Sequence, residues 1–219
     1  SFSWKLEAGA SFETPEAVMA FSKDGFNGMS QCMHRFVREH IVRGYWKKKT
    51  RPILLNSWEA NYFEFDGENI YRLAEQAAEL GIELLVMDDG WFGKRNNDLA
   101  GLGDWYVNEE KMGQPLGTLI SRINDLGVKF GIWVEPEMVN PRSELYEKHP
   151  DWVITQPNRE IDLSRNQLIL DLCNPKVQDY VFSVVDNTLK ENPGIAYVKW
   201  DCNRFVTNSG SFYLSADKQ

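Results

Sequence analysis

The sequence is poor in cysteine and histidine, and it lacks long apolar runs. Its three cysteines, Cys32, Cys173 and Cys202, have no paired spacing, so we expect no disulfide framework and a reducing, cytoplasmic compartment. None of the three histidines follows a predicted strand, which argues against a histidine-based metal site or catalytic triad. No stretch approaches the roughly 18 apolar residues of a membrane span, and no secretory signal is expected at its start.

Basic residues are also in the minority. The chain has 24 Lys and Arg against 32 Asp and Glu, a net charge of −8 over 219 residues. This balance argues against nucleic acid or an anionic membrane surface as the main partner, so the basic run at 47–51 is predicted to be a solvated linker. Tryptophan, by contrast, is abundant, with eight residues. Its flat ring with a polar N–H suits carbohydrate ligands and protein cores alike.

The sequence pattern changes near residue 50. Residues 1–50 are predicted to form short strands and turns, including an alternating strand at 1–6, and then a helix capped by Ser30 and a linker. The chain has no initiator Met, and its last residues complete no predicted element. We therefore expect it to be a fragment of a longer protein.

Strands and helices alternate through residues 51–219. Nearly all-apolar strands are predicted at 53–57, 82–87, 129–134 and 196–200, separated by amphipathic helices, which is typical of a parallel sheet covered on both faces. A doubly wound sheet and a (β/α)8 TIM barrel both fit this pattern. No glycine-rich phosphate loop follows a strand, whereas polar side chains end every strand. The sequence therefore favours an α/β fold containing about the first four units of a TIM barrel.

Carboxylates stand at three of these strand ends. Asp88 and Asp89 follow the second strand, Glu135 the third and Asp201 the fourth. Lys199 shares a strand face with Asp201, because side chains alternate. These two charged side chains must form a structural ion pair, meet water at the strand end or contact a ligand. The neighbouring Lys199 cation would keep the Asp201 carboxylate ionised. The pattern leaves all four carboxylates as candidate nucleophiles.

Aromatic side chains accompany these carboxylates. Trp58 and Trp133 end the first and third strands, where each serves either as core or as a platform for a sugar ring. Arg165, in the segment before the fourth strand, is a surface residue or a ligand contact. Carboxylates accept strong hydrogen bonds from hydroxyl groups. The residues alone therefore indicate a polyol or sugar site, with no metal and no cofactor expected.

Four motifs in order along the chain resemble a known family. LNSWEA at 55–60, MDDGWF at 87–92, WVEPEM at 133–138 and KWDCNR at 199–204 resemble the signatures of the α-galactosidases of glycoside hydrolase family 36. The resemblance covers essentially the whole chain. It implies that residues 1–50 are the end of an N-terminal β-domain plus a linker helix, and that residues 51–219 are the first half of the catalytic barrel.

The resemblance also implies an activity and roles for individual residues. The activity is retaining hydrolysis of terminal α-linked galactose from α-galactoside oligosaccharides such as melibiose and raffinose. Asp201 would be the nucleophile, and Asp88 and Asp89 would hold galactose hydroxyls, including the axial 4-OH. The remaining substrate contacts would be Trp58, Trp133, Arg165, Lys199 and Asn203.

One expected catalytic group is missing from the sequence. A retaining glycosidase needs a second carboxyl as acid/base, and in the resembled family it lies on a later barrel strand. We therefore expect the isolated chain to be inactive. The resemblance also implies that the parent enzyme is a homo-oligomer, commonly a tetramer. The alternatives are a galactosyl transferase of the raffinose- or stachyose-synthase type, and a non-catalytic galactose-binding or assembly module.

Overall fold

A computed structural model describes residues 4–218. The chain forms two compact units, Ser1–Pro52 and Ile53–Gln219. Among the residues described, no helix is both long and apolar enough to cross a bilayer.

The first unit contains one long helix and no described strand. Helix α1 spans Gly25–Phe36, and a π-helical turn, Val37–Ile41, continues it directly. Residues 4–24 form turns and irregular chain, so the prediction of short strands is wrong there. Ser1–Ser3 of the predicted 1–6 strand lie outside the described residues. An alternating segment without a partner strand has no ladder to stabilise it. The helix also begins five residues before the predicted cap at Ser30.

The second unit is built on a four-stranded parallel sheet. Its strands are β1 Leu54–Asn56, β2 Leu84–Met87, β3 Lys129–Val134 and β6 Ile195–Trp200, and all four confirm the sequence prediction within two residues at each end. They lie in the order β1, β2, β3, β6, and each pairs in parallel with its neighbour. The order follows the chain and has no reversal.

Helices connect the parallel strands. The helices of this unit are α2 Trp58–Asn61, α3 Gly67–Glu79, α4 Glu109–Met112, α5 Leu116–Asp125, α6 Glu144–Lys148 and α7 Pro175–Glu191. Asp66 and Asn69 form a reciprocal capping box at the start of α3, and Asn174 caps α7, which has proline in its first turn.

The core lies between the sheet and helices α3 and α5. Ile70 and Ala74 of α3, and Leu119 and Ile123 of α5, are fully buried in one cluster with strands β2 and β3. All four residues of β2 are buried, as a strand covered on both faces requires. This packing holds the carboxyl ends of the strands in place.

A second, two-stranded sheet was not predicted from the sequence. Strand β4, Met138–Val139, pairs antiparallel with β5, Leu168–Ile169. Two-residue strands carry no detectable period, so sequence analysis treats these segments as connections. The small sheet holds Glu135 and Gln167 beside the ends of the main strands.

Strand β6 differs from its prediction in burial. The sequence predicts a buried strand, but Tyr197 is 42% exposed and Trp200 46% exposed. Among the described residues, β6 pairs with β3 alone, which leaves its outer edge uncovered.

Candidate active site

The carboxyl ends of the four parallel strands line one pocket of about 380 Å³. Every site residue predicted from the sequence lines this pocket, together with several that were not predicted. The predicted residues are Trp58, Asp88, Asp89, Trp133, Arg165, Lys199, Asp201 and Asn203, together with the candidate carboxylate Glu135; the others are Phe63, Arg95, Asp98 and Gln167.

Asp201 follows β6 and is held by two side-chain donors. Its Oδ2 accepts hydrogen bonds from the Trp133 indole N–H at 3.0 Å and the Asn203 amide at 2.9 Å. Burial raises the pKa of Asp201, but these two bonds and the Lys199 charge outweigh burial and bring the pKa below its ordinary value. Asp201 is therefore an ionised, half-buried carboxylate in the pocket.

Lys199 forms its ion pair with Asp88 rather than with Asp201. The Lys199 Nζ lies 2.7 Å from Asp88 Oδ2, and the same oxygen accepts a hydrogen bond from the Asn56 side chain at 2.7 Å. The proposed Lys199–Asp201 structural pair is thus wrong, because the ammonium reaches across β3 to the end of β2. Lys199 acts on Asp201 through its charge alone, and it fixes the orientation of Asp88.

Asp89 is paired with an arginine that the sequence analysis did not identify. The Arg95 guanidinium binds Asp89 with two parallel hydrogen bonds, Nε–Oδ1 at 3.0 Å and Nη2–Oδ2 at 2.8 Å. Burial raises the pKa of Asp89, and the Arg95 hydrogen bonds and charge act against that increase. Arg95 lies in the long polar loop 90–114, where no periodic pattern distinguishes a buried arginine from a solvated one.

Glu135 is the most deeply buried of the four candidate carboxylates. It is 1% exposed, and it accepts hydrogen bonds from the Asn203 backbone N–H at 2.5 Å and the Gln167 amide at 3.0 Å. Burial raises the pKa of Glu135, with smaller opposing contributions from those hydrogen bonds. Its contacts anchor the chain after β6, and its burial leaves little room for a substrate atom.

The two predicted tryptophans differ in environment. Trp133 is 1% exposed and stacks parallel to Phe92 at 6.1 Å between ring centroids, so it is a core residue whose N–H reaches the pocket. Trp58 is half-buried and makes edge contacts with Tyr62 and Phe63. Trp58 therefore offers the more accessible aromatic face.

Arg165 lies at the tip of a tight turn beside the pocket. Ser164 and Gln167 exchange both backbone hydrogen bonds, and Arg165 and Asn166 between them have φ values of +53° and +58°. Left-handed backbone at both central positions is typical of a type I′ turn. The turn places an exposed guanidinium at the pocket edge.

Lys111 links two loops behind the pocket. Its ammonium donates to the carbonyls of Phe63 and Gly90 at 2.9 and 2.8 Å. Burial lowers its pKa from 10.5 to about 8, although the nearby Asp89 charge acts in the opposite direction. No set of three His, Cys, Asp or Glu residues within 4–218 is arranged to hold a metal ion.

The lowered pKa of Lys111 predicts a specific pH dependence of stability. Between about pH 8 and 10.5, the unfolded chain holds more protons at this amine than the folded chain, so the contribution of Lys111 to the free energy of unfolding rises with pH. We expect the urea midpoint of the full-length protein to rise relative to that of its Lys111→Met variant as the pH increases across this window. The exposed Lys176→Met control should keep a constant difference. A constant or opposite trend for Lys111→Met would contradict the assignment.

The sequence of this chain matches one protein family and several known proteins. The family model described as Melibiase matches residues 11–219. Alpha-galactosidase AgaA of Geobacillus stearothermophilus is 51% identical over 218 residues, which are 100% of this chain and 30% of that protein. The bifunctional alpha-galactosidase/sucrose kinase AgaSK of Mediterraneibacter gnavus is 47% identical over 99% of this chain and 23% of its own length. The chain thus spans less than a third of these relatives.

Solved structures agree with the sequence matches. The structure of the GH36 alpha-galactosidase AgaA has a TM-score of 0.85 at 51% identity, covering 88% of this chain and 27% of that one. An AgaA variant in complex with raffinose gives a TM-score of 0.84 with the same coverage. Another variant, in complex with stachyose, is 50% identical with a TM-score of 0.84, again covering 88% of this chain and 27% of its own.

Proposed function

The chain belongs to the melibiase family, and from that premise we propose that the protein carrying it hydrolyses terminal α-linked galactose with retention of configuration. The observation that carries this proposal is the pocket of ionised and paired carboxylates at the strand ends. The substrates proposed are α-galactosides, including raffinose-type oligosaccharides. The sequential strand order, without the reversal of a doubly wound sheet, supports a (β/α)8 barrel in the whole protein.

Asp201 is the proposed nucleophile. Of the four candidate carboxylates it combines a lowered pKa with partial exposure, whereas Asp88 and Asp89 are engaged by cations and Glu135 is buried. Its oxygen attacks the anomeric carbon as the bond to the leaving oxygen breaks, forming a glycosyl ester. Water then attacks the same carbon, gives up a proton to the acid/base carboxylate that protonated the leaving oxygen, and releases galactose with the Asp201 carboxylate restored.

The other site residues predicted from the sequence are proposed to bind the galactosyl group or to hold the nucleophile in place. Asp88 and Asp89 offer carboxylate oxygens to sugar hydroxyls, since charge-assisted hydrogen bonds favour such acceptors. Lys199 and Asn203 serve as donors, and Arg165 contributes from the turn at the pocket edge. Trp58 presents an apolar ring face to the sugar, with Trp133 fixing the nucleophile.

The acid/base carboxyl is proposed to come from outside residues 1–219. The leaving oxygen must receive a proton from a second carboxyl about 5–5.5 Å from the nucleophile. Of the four other acidic residues in the pocket, Asp88, Asp89 and Glu135 are committed to Lys199, Arg95 and the Asn203 backbone. Asp98 accepts a hydrogen bond from the Asn166 side chain at 3.4 Å. None of them is therefore proposed for this role.

The proposal predicts a contrast between the full-length protein and the isolated chain. The full-length protein should hydrolyse p-nitrophenyl α-galactoside and leave the α-glucoside largely intact, because the pocket carboxylates are proposed to read the axial 4-OH. Residues 1–219 alone should release no measurable galactose from melibiose, because a sugar leaving group needs a proton donor. Nitrophenol release measures the first activity, and release of free galactose from melibiose measures the second. A full-length protein without galactosidase activity contradicts the function, and an active 1–219 chain contradicts the external acid/base.

A further inference from the structure

The fully buried Asn140 joins two parts of the pocket. Asn140 follows β4 and is 0% exposed. Its Oδ1 accepts hydrogen bonds from Arg95 Nη1 and from the Leu102 backbone N–H, each at 2.9 Å. Its Nδ2 donates to the backbone carbonyls of Asp98 at 3.2 Å and Asn166 at 2.6 Å. All four hydrogen-bonding positions of the amide are used.

Arg95 is confined as tightly as Asn140. Its side chain is 2% exposed, and it spans Asp89, Asn140 and the Ala100 carbonyl. A guanidinium with two parallel bonds to a carboxylate fixes the plane of that carboxylate, which a point charge does not. Arg95 therefore sets the direction in which Asp89 presents its oxygens.

The other side of Asn140 reaches the turn that carries Arg165. The Asn166 carbonyl, which Asn140 binds, belongs to the residue after Arg165 in the left-handed turn. Without this anchor, the Asn166 side chain still donates to Asp98 Oδ2 at 3.4 Å, but the turn loses its link to Arg95 and Leu102 through Asn140. Asn140 thus connects the orientation of Asp89 to the position of Arg165.

We propose that Arg95 and Asn140 form a positioning pair that aligns Asp89 and the Arg165 turn for the galactosyl group. The proposal rests on the proposed function for its ligand. Neither residue is assigned a contact with the sugar: Arg95 borders the pocket but its side chain is 2% exposed, and Asn140 is fully buried, so each acts through a neighbouring side chain. Displacement of a binding group by about 1 Å is enough to cost roughly 100-fold in rate.

A double-mutant cycle in the full-length protein tests this pair. Arg95→Lys keeps the charge and removes the parallel bonds, so kcat/KM for p-nitrophenyl α-galactoside should fall roughly 10- to 100-fold. In the Asp89→Asn background the same change should lower kcat/KM by about twofold or less, because the effects of substitutions at coupled residues are not additive. Arg122→Lys, at the surface pair with Glu68, is the matched control and should leave kcat/KM unchanged. Equal losses in both backgrounds would overturn the proposal.

Asn140 provides a second variant if Arg95→Lys does not fold. Asn140→Ser leaves the Arg95–Asp89 charge balance intact, and its effect should be non-additive with both Asp89→Asn and Arg165→Met. Additive effects would overturn the positioning role.

Calorimetric titration with galactose separates this proposal from the function. Galactose affinity should show the same non-additivity whether or not the protein turns over substrate. If the protein binds galactose with non-additive effects of the substitutions but hydrolyses no galactoside, the proposed function alone is contradicted. If the protein does not bind galactose, both proposals are contradicted.

Discussion

Replacing Asp201 with alanine is expected to lower hydrolysis of α-galactosides by the full-length protein by roughly 1,000-fold or more. The substitution removes the only group proposed to form a bond to the anomeric carbon. It also frees the Trp133 N–H and the Asn203 amide, which both donate to this carboxylate. The fold should persist, because Asp201 lies after the last residue of β6 and outside the buried core.

Azide distinguishes loss of a nucleophile from general damage. A small anion fits the space left by the carboxylate, so azide should restore turnover of an activated galactoside by the Asp201→Ala variant. The product should be galactosyl azide with inverted anomeric configuration, identified by NMR. Asp186→Ala, which removes an exposed pair on α7, should remain fully active. If Asp201→Ala were active without azide and azide rescued Glu135→Ala instead, the nucleophile would be Glu135, at the end of strand β3.

The second large effect is expected at Asp88. Its Oδ2 accepts from Lys199 and Asn56, and its Oδ1 accepts from the Asp89 backbone N–H. In Asp88→Asn, either orientation of the amide places an NH2 group against a donor, and the Lys199 charge loses its partner. We expect transition-state stabilisation to fall by about 2–4 kcal/mol, or roughly 30- to 1,000-fold in kcat/KM.

The specificity of the same variant tests the assigned contact. If Asp88 holds a hydroxyl that separates galactose from glucose, the ratio of kcat/KM for the α-galactoside over the α-glucoside should fall with the activity. Asp151→Asn, at an exposed position away from the pocket, should change neither value. An Asp88→Asn protein with the original ratio would show that Asp88 does not read this hydroxyl.

The sequence predicts the parallel sheet because that part of the fold has a strong local signal. Buried parallel strands are continuous apolar runs, and the Asp66 and Asn174 caps mark where α3 and α7 begin. The carboxyl ends of such strands meet at one edge, so the convergence of Asp88 and Asp201 follows from their place after strands.

Pairing within the site has no comparable signal. Strand alternation brings Lys199 and Asp201 to one face, yet the flexible lysine stem pairs with Asp88 instead. Arg95 and Asn140 lie 45 residues apart in sequence and meet through a loop and a two-residue strand. Tertiary packing decides such contacts, and the local periodicity of the sequence does not report on it.

In the first unit, the sequence pattern predicts a strand that the structure does not contain among its described residues. Alternating apolar residues at 1–6 predict a strand, but a strand forms where a partner supplies its hydrogen bonds. The described residues 4–24 have no paired strand, so pattern alone is insufficient there.

Trapping the covalent intermediate tests whether Asp201 is the nucleophile of a retaining galactosidase. An activated 2-deoxy-2-fluoro galactoside slows both steps and traps the glycosyl ester when its leaving group is good. Incubation with the full-length protein, followed by proteolysis and mass spectrometry, should find one fluorogalactosyl group on the peptide that contains Asp201. A label on the peptide of Asp88, Asp89 or Glu135, or active enzyme that releases galactose with inverted configuration and takes no label, would contradict the account.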